Sequence, residues 1–141
     1  MKFSSKVLAV SGATVAAGLL AAGPAFAAVT ESTWRPIPSS GTIVCKAPKT
    51  HAASDYISFK SCFIFNADRT FVQSMLVVDN NSGNKVKIEA LVTTNFNGDV
   101  HCGLSDFYSG NRTVCLGRTR SAPSEAGMTS KLIMNGYVDY N

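Results

Sequence analysis

The sequence has few of the side chains that most often carry chemistry. Its 141 residues include two histidines, one tryptophan and four cysteines, and charged residues make up only 16% of the chain. No C-x-x-C zinc-binding pair and no G-x-S-x-G nucleophile elbow occurs. The formal net charge of +4 is not gathered into a Lys/Arg run, which argues against a nucleic-acid partner. We therefore expect a protein that is not an enzyme and that uses neither a metal nor a cofactor.

The first residues have the features of a secretory signal peptide. Lys2 and Lys6 precede an apolar run over residues 7–22, and residues 23–27 end in an Ala-x-Ala pattern. A membrane anchor is the alternative, but a spanning helix needs about 20 apolar residues, and this run is shorter and is interrupted by Ser, Thr and Gly. We predict that residues 1–27 are removed, which leaves a secreted, extracellular chain of net charge +2 with no membrane association.

The four cysteines, Cys45, Cys62, Cys102 and Cys115, all follow the predicted signal. An even number of cysteines in a small exported domain predicts a disulfide framework, for which three pairings are possible. We favour Cys45–Cys62 with Cys102–Cys115, because each pair brackets one local excursion of the chain between two strand-like segments. Closing loops of this size stabilises a fold by roughly 3 kcal/mol each. A catalytic thiol would need a free cysteine, and this framework leaves none.

Short strand-like segments follow one another from residue 42 to the C-terminus. Residues 56–65 carry apolar side chains on both faces, residues 86–96 alternate apolar and polar residues, and no window has a helical stripe. Asn97-Gly98 predicts a two-residue hairpin, whereas Asn135-Gly136 could be a hairpin or a bulge. About seven such segments predict an all-β fold, a small antiparallel β-sandwich or barrel-like domain over residues 42–141.

The segment of residues 28–41 has no period and is interpreted as an extended N-terminal arm. Its centre, Trp34, Arg35, Pro36, Ile37 and Pro38, combines an aromatic ring, a cation and aliphatic surface on a chain that proline holds extended. Such a segment loses little entropy when it docks into a groove or adds a strand to a partner's sheet. We predict that these five residues bind a partner. The equally open alternative is that Trp34 folds back onto its own domain.

The remaining polar residues suggest no active site. His51 lies in a polar loop and is expected to be solvated. His101 is adjacent to Cys102, so in a strand the two side chains point to opposite faces and cannot easily chelate a metal together. One group of cations is interpreted as a solvated rim rather than as a site for a specific acidic partner: Arg112, Arg118, Arg120 and Lys131.

The layout resembles that of small secreted actinobacterial proteins, with an Ala-rich signal, WRPIP in the arm, two local cysteine pairs and MNGY before the last strand. Within that group the chain is similar to the adaptor subunits of Streptomyces umbrella toxin particles. Those are extracellular β proteins that join a lectin-bearing subunit to a large toxin polypeptide. The resemblance implies a secreted adaptor in an antibacterial complex, with the arm around Trp34 in a cleft of the lectin subunit and the sandwich body holding the other partner.

The sequence is also compatible with two other functions, an inhibitor and a small hydrolase. A secreted inhibitor of an extracellular protease or other hydrolase could present residues 46–55 or 104–112 to an enzyme's cleft, since a disulfide tethers each segment. A small hydrolase would need catalytic side chains that converge in space, and a sequence does not display such convergence.

Overall fold

The computed structural model describes residues 28–141, so the predicted signal peptide lies outside the described residues. This part of the chain is all-β, and it contains no helix that is long and apolar enough to cross a membrane. Its strands are β1 (Thr30–Ser32), β2 (Thr42–Cys45), β3 (Lys49–Thr50), β4 (Ile57–Phe65), β5 (Phe71–Asn80), β6 (Val86–Thr94), β7 (Val100–Phe107), β8 (Arg112–Leu116), β9 (Arg120–Ser121), β10 (Met128–Met134) and β11 (Tyr137–Tyr140).

The strands form two sheets packed as a sandwich, which confirms the predicted fold class. Sheet A has the order β1-β7-β6-β10-β11, and sheet B has the order β2-β4-β5-β8, with β3 and β9 as short partners of β4 and β5. Neighbouring strands are antiparallel except for β1, which runs parallel to β7. The described part has more strands than the sequence predicted because β1, β3 and β9 are too short to show an alternating pattern. In addition, residues 128–140 form two strands, β10 and β11, rather than one.

The hydrophobic core lies between the sheets. Sheet A contributes the inward face of β6, where Val86, Ile88, Ala90 and Val92 are all buried, and sheet B contributes residues such as Phe59. Each large apolar side chain that leaves water in this way stabilises the fold by roughly 1.5–3 kcal/mol. The outward residues of β6 are more exposed, which is the alternation expected of a sheet with one face in the core.

The two Asn-Gly sequences lie in turns of different length. Asn135 and Gly136 form the tight turn between β10 and β11, with φ values of 48° and 85°, as in a two-residue hairpin. The prediction for Asn97-Gly98 was wrong, because the turn between β6 and β7 covers residues 95–99. The Asp99 carboxylate accepts the backbone N–H of Thr94 (2.7 Å), whose hydroxyl accepts the N–H of Gly98 (2.7 Å). These side-chain bonds to the backbone hold the longer loop.

Both predicted disulfides are present; one lies within a sheet and the other connects the two sheets. Cys45–Cys62 joins β2 to its neighbour β4 within sheet B. Cys102–Cys115 joins β7 of sheet A to β8 of sheet B through the core. No cysteine is free. The second bridge therefore fixes the two layers to each other, and both indicate an oxidising compartment.

The N-terminal arm closes one side of the sandwich. β1 pairs with β7 of sheet A, and a few residues later Arg35 pairs with Val114 of β8 in sheet B. The chain then crosses the outer face of sheet B to reach β2 at the opposite edge. On that face Ile37 packs against a second apolar cluster: Cys62, Ile64, Met75, Val77 and Val114. The arm is thus a structural part of the domain.

Hydrogen bonds close the opposite side. The hydroxyl of Ser61 on β4 donates to that of Ser130 on β10 (2.7 Å), and both serines are fully buried. The ammonium group of Lys46 donates to the carbonyl of Met128 (2.7 Å). Because buried hydroxyl groups are stable only when paired, the serine contact fixes how the sheets meet, and the bond from the exposed Lys46 adds a second link between the two layers.

Candidate functional site

The described part of the chain offers no metal site. Within residues 28–141 there is no group of three or more His, Cys, Asp and Glu side chains that could hold an ion. His101 and Cys102 point to opposite faces of β7, as predicted: Cys102 is buried in the core, and His101 lies on the outer face of sheet A.

The expectation that His51 is solvated was wrong, because its side chain is only 2% exposed. The ring packs against Phe59, with 5.9 Å between centroids. Its Nδ1 accepts the backbone N–H of Ala53 (3.1 Å), and its Nε2 lies 3.3 Å from the carbonyl of Leu132. A single tautomer, with the proton on Nε2, satisfies both partners. His51 therefore anchors the loop of residues 46–55 beneath β10, and both ring nitrogens are engaged.

His101 sits between two carboxylates. Its Nδ1 is 2.7 Å from Oε2 of Glu31 on β1, and its Nε2 is 2.7 Å from Oε1 of Glu89 on β6. Hydrogen bonds to Glu89 and then to Glu31 raise the pKa of His101 above 6.5. A ring whose two nitrogens both donate to carboxylates is an imidazolium ion. Such a ring has no free lone pair with which to act as a base. The contacts among Glu31, His101 and Glu89 link the arm to sheet A.

One end of the sandwich carries three exposed tyrosines, and we call it the tyrosine end. Tyr56, Tyr108 and Tyr137 are 63%, 57% and 65% exposed. They lie on or beside turns that join strands at this end. The residues of these turns are mostly Asn, Ser and Gly: Asn81, Ser82, Gly83, Asn84, Ser109, Gly110, Asn111, Asn135 and Gly136.

The buried side chain of Asn80 holds two turns of the tyrosine end together, the one after β5 and the one after β7. Its Nδ2 donates to the carbonyls of Asn84 (2.9 Å) and Phe107 (3.0 Å). Its backbone carbonyl accepts the N–H of Gly110 (2.7 Å). The N–H of Asn81 donates to the carbonyl of Tyr56 (2.9 Å). Tyr56 and Tyr108 therefore project from a hydrogen-bonded, pre-organised surface.

Sequence reasoning missed the tyrosine end, although the sequence carried a usable signal. The three tyrosines stand far apart in the chain, at residues 56, 108 and 137. Each lies next to a strand boundary, and the alternating directions of β4 to β8 and of β10 to β11 bring those boundaries to one end. Tracking strand direction from the predicted segments would have placed them together.

The arm residues predicted to bind a partner are docked on their own domain. Trp34 is half-buried, contacts the core, and donates its indole N–H to the carbonyl of Gly103 (2.9 Å). Ile37 and Pro38 are also half-buried, whereas Arg35 and Pro36 are exposed. The structure therefore has Trp34 in the folded-back position, and the exposed part of the WRPIP segment is the step formed by Arg35 and Pro36.

The predicted cation group is dispersed. Arg112 donates through Nε to Asp79 (2.6 Å) at the tyrosine end, and Lys131 lies on β10 in the other sheet. Arg118 and Arg120 remain near each other after the end of β8. The antiparallel course of β8 separates Arg112 from them by the length of the strand.

In each of the two segments proposed for an inhibitor, part of the chain is held against the domain. In residues 46–55, β3 pairs with β4 and His51 is buried. In residues 104–112, β7 extends to the buried Phe107, and the backbone N–H of Gly110 donates to the carbonyl of Asn80.

No protein-family model, curated protein or solved structure matches the chain.

Proposed function

We propose that this protein is a secreted, non-enzymatic adaptor domain that joins other extracellular proteins. The observation that carries the proposal is the tyrosine end, with three large exposed rings on turns that are already ordered. The two disulfides fit export to an oxidising space. The resemblance to adaptor subunits of umbrella toxin particles favours an antibacterial complex in which the partners are a lectin-bearing subunit and a large toxin polypeptide.

The composition of the tyrosine end suits protein recognition. Tyrosine gives a large, amphipathic contact area at a small cost in conformational entropy, and Ser, Gly and Asn beside it supply adaptable hydrogen bonds. Tyrosine is also among the residues most often found to dominate binding energy. Asn80 already orders two of the turns, and Asn135 bonds to the backbone of Lys87, so little further ordering is needed on binding, which favours affinity.

The arm would contribute in its docked form. Arg35 and Pro36 are accessible where they stand. Insertion of Trp34 into a partner's cleft would first require the loss of its bond to Gly103 and the pairing of Arg35 with Val114. We therefore favour a fixed arm surface over an arm that detaches.

Affinity purification of the tagged protein from the culture supernatant of its native producer, followed by mass spectrometry, tests the proposal. We expect larger secreted proteins to co-purify. Replacing Tyr56, Tyr108 and Tyr137 together by serine should lower the recovery of at least one of them by about tenfold or more.

Phe71→Ser is the matched control, because Phe71 is a 48% exposed ring at the opposite end of the sandwich. It should leave recovery of that partner unchanged. Equal recovery with the triple variant and the wild type would refute the role of the tyrosine end. Recovery of a single hydrolase that the purified protein inhibits would favour the inhibitor instead.

A further inference from the structure

Two adjoining cavities lie beside the N-terminal strand, where β1 faces the segment that follows β8. Their volumes are about 460 Å³ and 350 Å³, and Thr30, Glu31 and Arg118 line both. Arg120 lines the first and Arg35 the second. Three arginines from two parts of the chain thus line one continuous depression, which we call the arginine cleft.

The three arginines keep most of their hydrogen-bonding capacity. Within the part of the chain that the structure describes, none of them is within 4.0 Å of a carboxylate. Arg120 donates through Nε to the carbonyl of Asn97 (2.8 Å), and Arg35 has one long contact of 3.5 Å with the Ser32 hydroxyl. A guanidinium group has five N–H donors, so each retains several that can bind a carboxylate in a forked geometry.

The two acidic groups near the cleft each have a partner within the fold, although the Glu31 side chain remains 75% exposed. The Glu31 carboxylate turns to His101 at 2.7 Å. The Asp99 carboxylate accepts the backbone N–H (2.7 Å) and the hydroxyl (3.2 Å) of Thr94. The cleft therefore has an excess of positive charge that the fold does not neutralise.

The backbone that carries Arg118 and Arg120 is held in place. The N–H of Gly117 donates to the carbonyl of Ser74 (2.8 Å), and the Ser74 hydroxyl donates to the carbonyl of Gly98 (2.7 Å). Gly117 lies so close to both residues that a Cβ would have no room. A fixed backbone and unpaired guanidinium groups are features of a binding site more than of a solvated rim.

We propose that the arginine cleft binds an acidic, extended peptide segment of a partner protein. A single small anion would engage one or two of the guanidinium groups, whereas a chain bearing several carboxylates can reach all three. Arginine suits this role because its planar fork matches a carboxylate. The arginine cleft is separate from the tyrosine end. Binding of an acidic peptide to the cleft can therefore be tested independently of partner binding at the tyrosine end.

Titration of the ¹⁵N-labelled exported protein with hexaglutamate peptide, followed by NMR, tests the proposal. We expect saturable shifts confined to the amides of residues 30–35 and 116–120, and an affinity that falls as salt is added. Arg118→Ala should weaken binding by about tenfold. Because Arg118 is exposed and has no hydrogen bond in the described structure, this variant should keep the wild-type fold and melting temperature.

Arg69→Ala is the matched control, since it removes the same charge from an arginine that stacks on Phe65 outside the cleft. It should bind hexaglutamate as the wild type does. Equal weakening by both substitutions would show general charge attraction and overturn the proposal. So would the absence of localised shifts, equal binding of neutral hexaglutamine, or binding of inorganic phosphate at the same residues with the same affinity.

Discussion

Asp139 connects the C-terminal strand of sheet A to the loop of residues 46–55 from sheet B. Asp139 is 8% exposed, and its carboxylate accepts hydrogen bonds from the Lys49 ammonium and from the backbone N–H groups of Ala52 (2.8 Å) and Tyr140 (2.8 Å). Lys49 also donates to the carbonyl of Tyr140 (2.8 Å). Asp139 and Lys49 therefore cap both backbone groups of Tyr140 on the free edge of β11, which would otherwise be open to pairing with another chain.

The magnitude of this contribution follows from the pKa. Burial alone would raise the pKa of Asp139, but the hydrogen bonds from Lys49, Tyr140 and Ala52 outweigh burial and lower it from 3.8 to about 2. A shift of this size corresponds to about 2 kcal/mol of folding free energy. The charge contributes fully above the pKa of the unfolded carboxyl, and the contribution is lost as the pH falls through the folded pKa.

Asp139→Asn should lower the free energy of unfolding by about 2 kcal/mol at neutral pH. The carboxamide can accept hydrogen bonds only through its oxygen, so its NH₂ group must face an N–H donor that the carboxylate accepted. Denaturant unfolding with both disulfides intact measures the loss. The difference between variant and wild type should shrink as the pH falls from about 4 to about 2, where the wild-type carboxyl becomes protonated.

Asp55→Asn is the control, because Asp55 is an exposed residue in the same loop. It should change stability by less than about 0.5 kcal/mol. A loss of similar size in both variants, or a difference between Asp139→Asn and wild type that is constant down to the lowest pH, would refute the assignment of Asp139 as the charged cap.

Two further predictions concern the arm. The wild type should lose up to about 1 kcal/mol of stability as the pH rises from 6.5 through the raised pKa of His101, because the imidazolium donates to both Glu31 and Glu89 whereas the neutral ring has one N–H and can donate to only one of them. Denaturant unfolding should show no such loss for His101→Gln, and parallel pH profiles would contradict the ion-pair assignment. Trp34→Ala should cost about 2 kcal/mol in the same assay and Trp34→Phe less, whereas unchanged stability in Trp34→Ala would show that the arm does not support the fold.

The features that the sequence predicted well depend on local pattern. The inward face of β6 follows from alternation alone, with Val86 and Ile88 in the core. The two apolar faces of β4 predicted that both would be covered, and Phe59 and Ile64 do belong to separate apolar clusters. The disulfide pairing followed from short separations of 17 and 13 residues between strand-like segments.

The features that the sequence concealed depend on distant contacts. His51 stands in a polar loop, and its burial comes from packing under Leu132, 81 residues away in the chain. Trp34 finds its hydrogen-bond acceptor 69 residues away, at Gly103. The position of Trp34 was open because an extended aromatic segment can add to its own sheet as readily as to a partner's. Only the topology of the two sheets decides between these outcomes.

The way the sandwich is closed restricts where partners can bind. The arm covers one side and the apolar cluster on the outer face of sheet B, and Asp139 with Ser61 and Ser130 closes the other side. On the outer face of sheet A, His101 is already paired with two carboxylates. The tyrosine end and the arginine cleft lie towards opposite ends of the sandwich, separated by the length of β8. Two surfaces so placed can bind partners at the same time, because neither partner need cover the other's site. The triple tyrosine variant should therefore still bind hexaglutamate, and Arg118→Ala should still recover the protein that the tyrosine end binds.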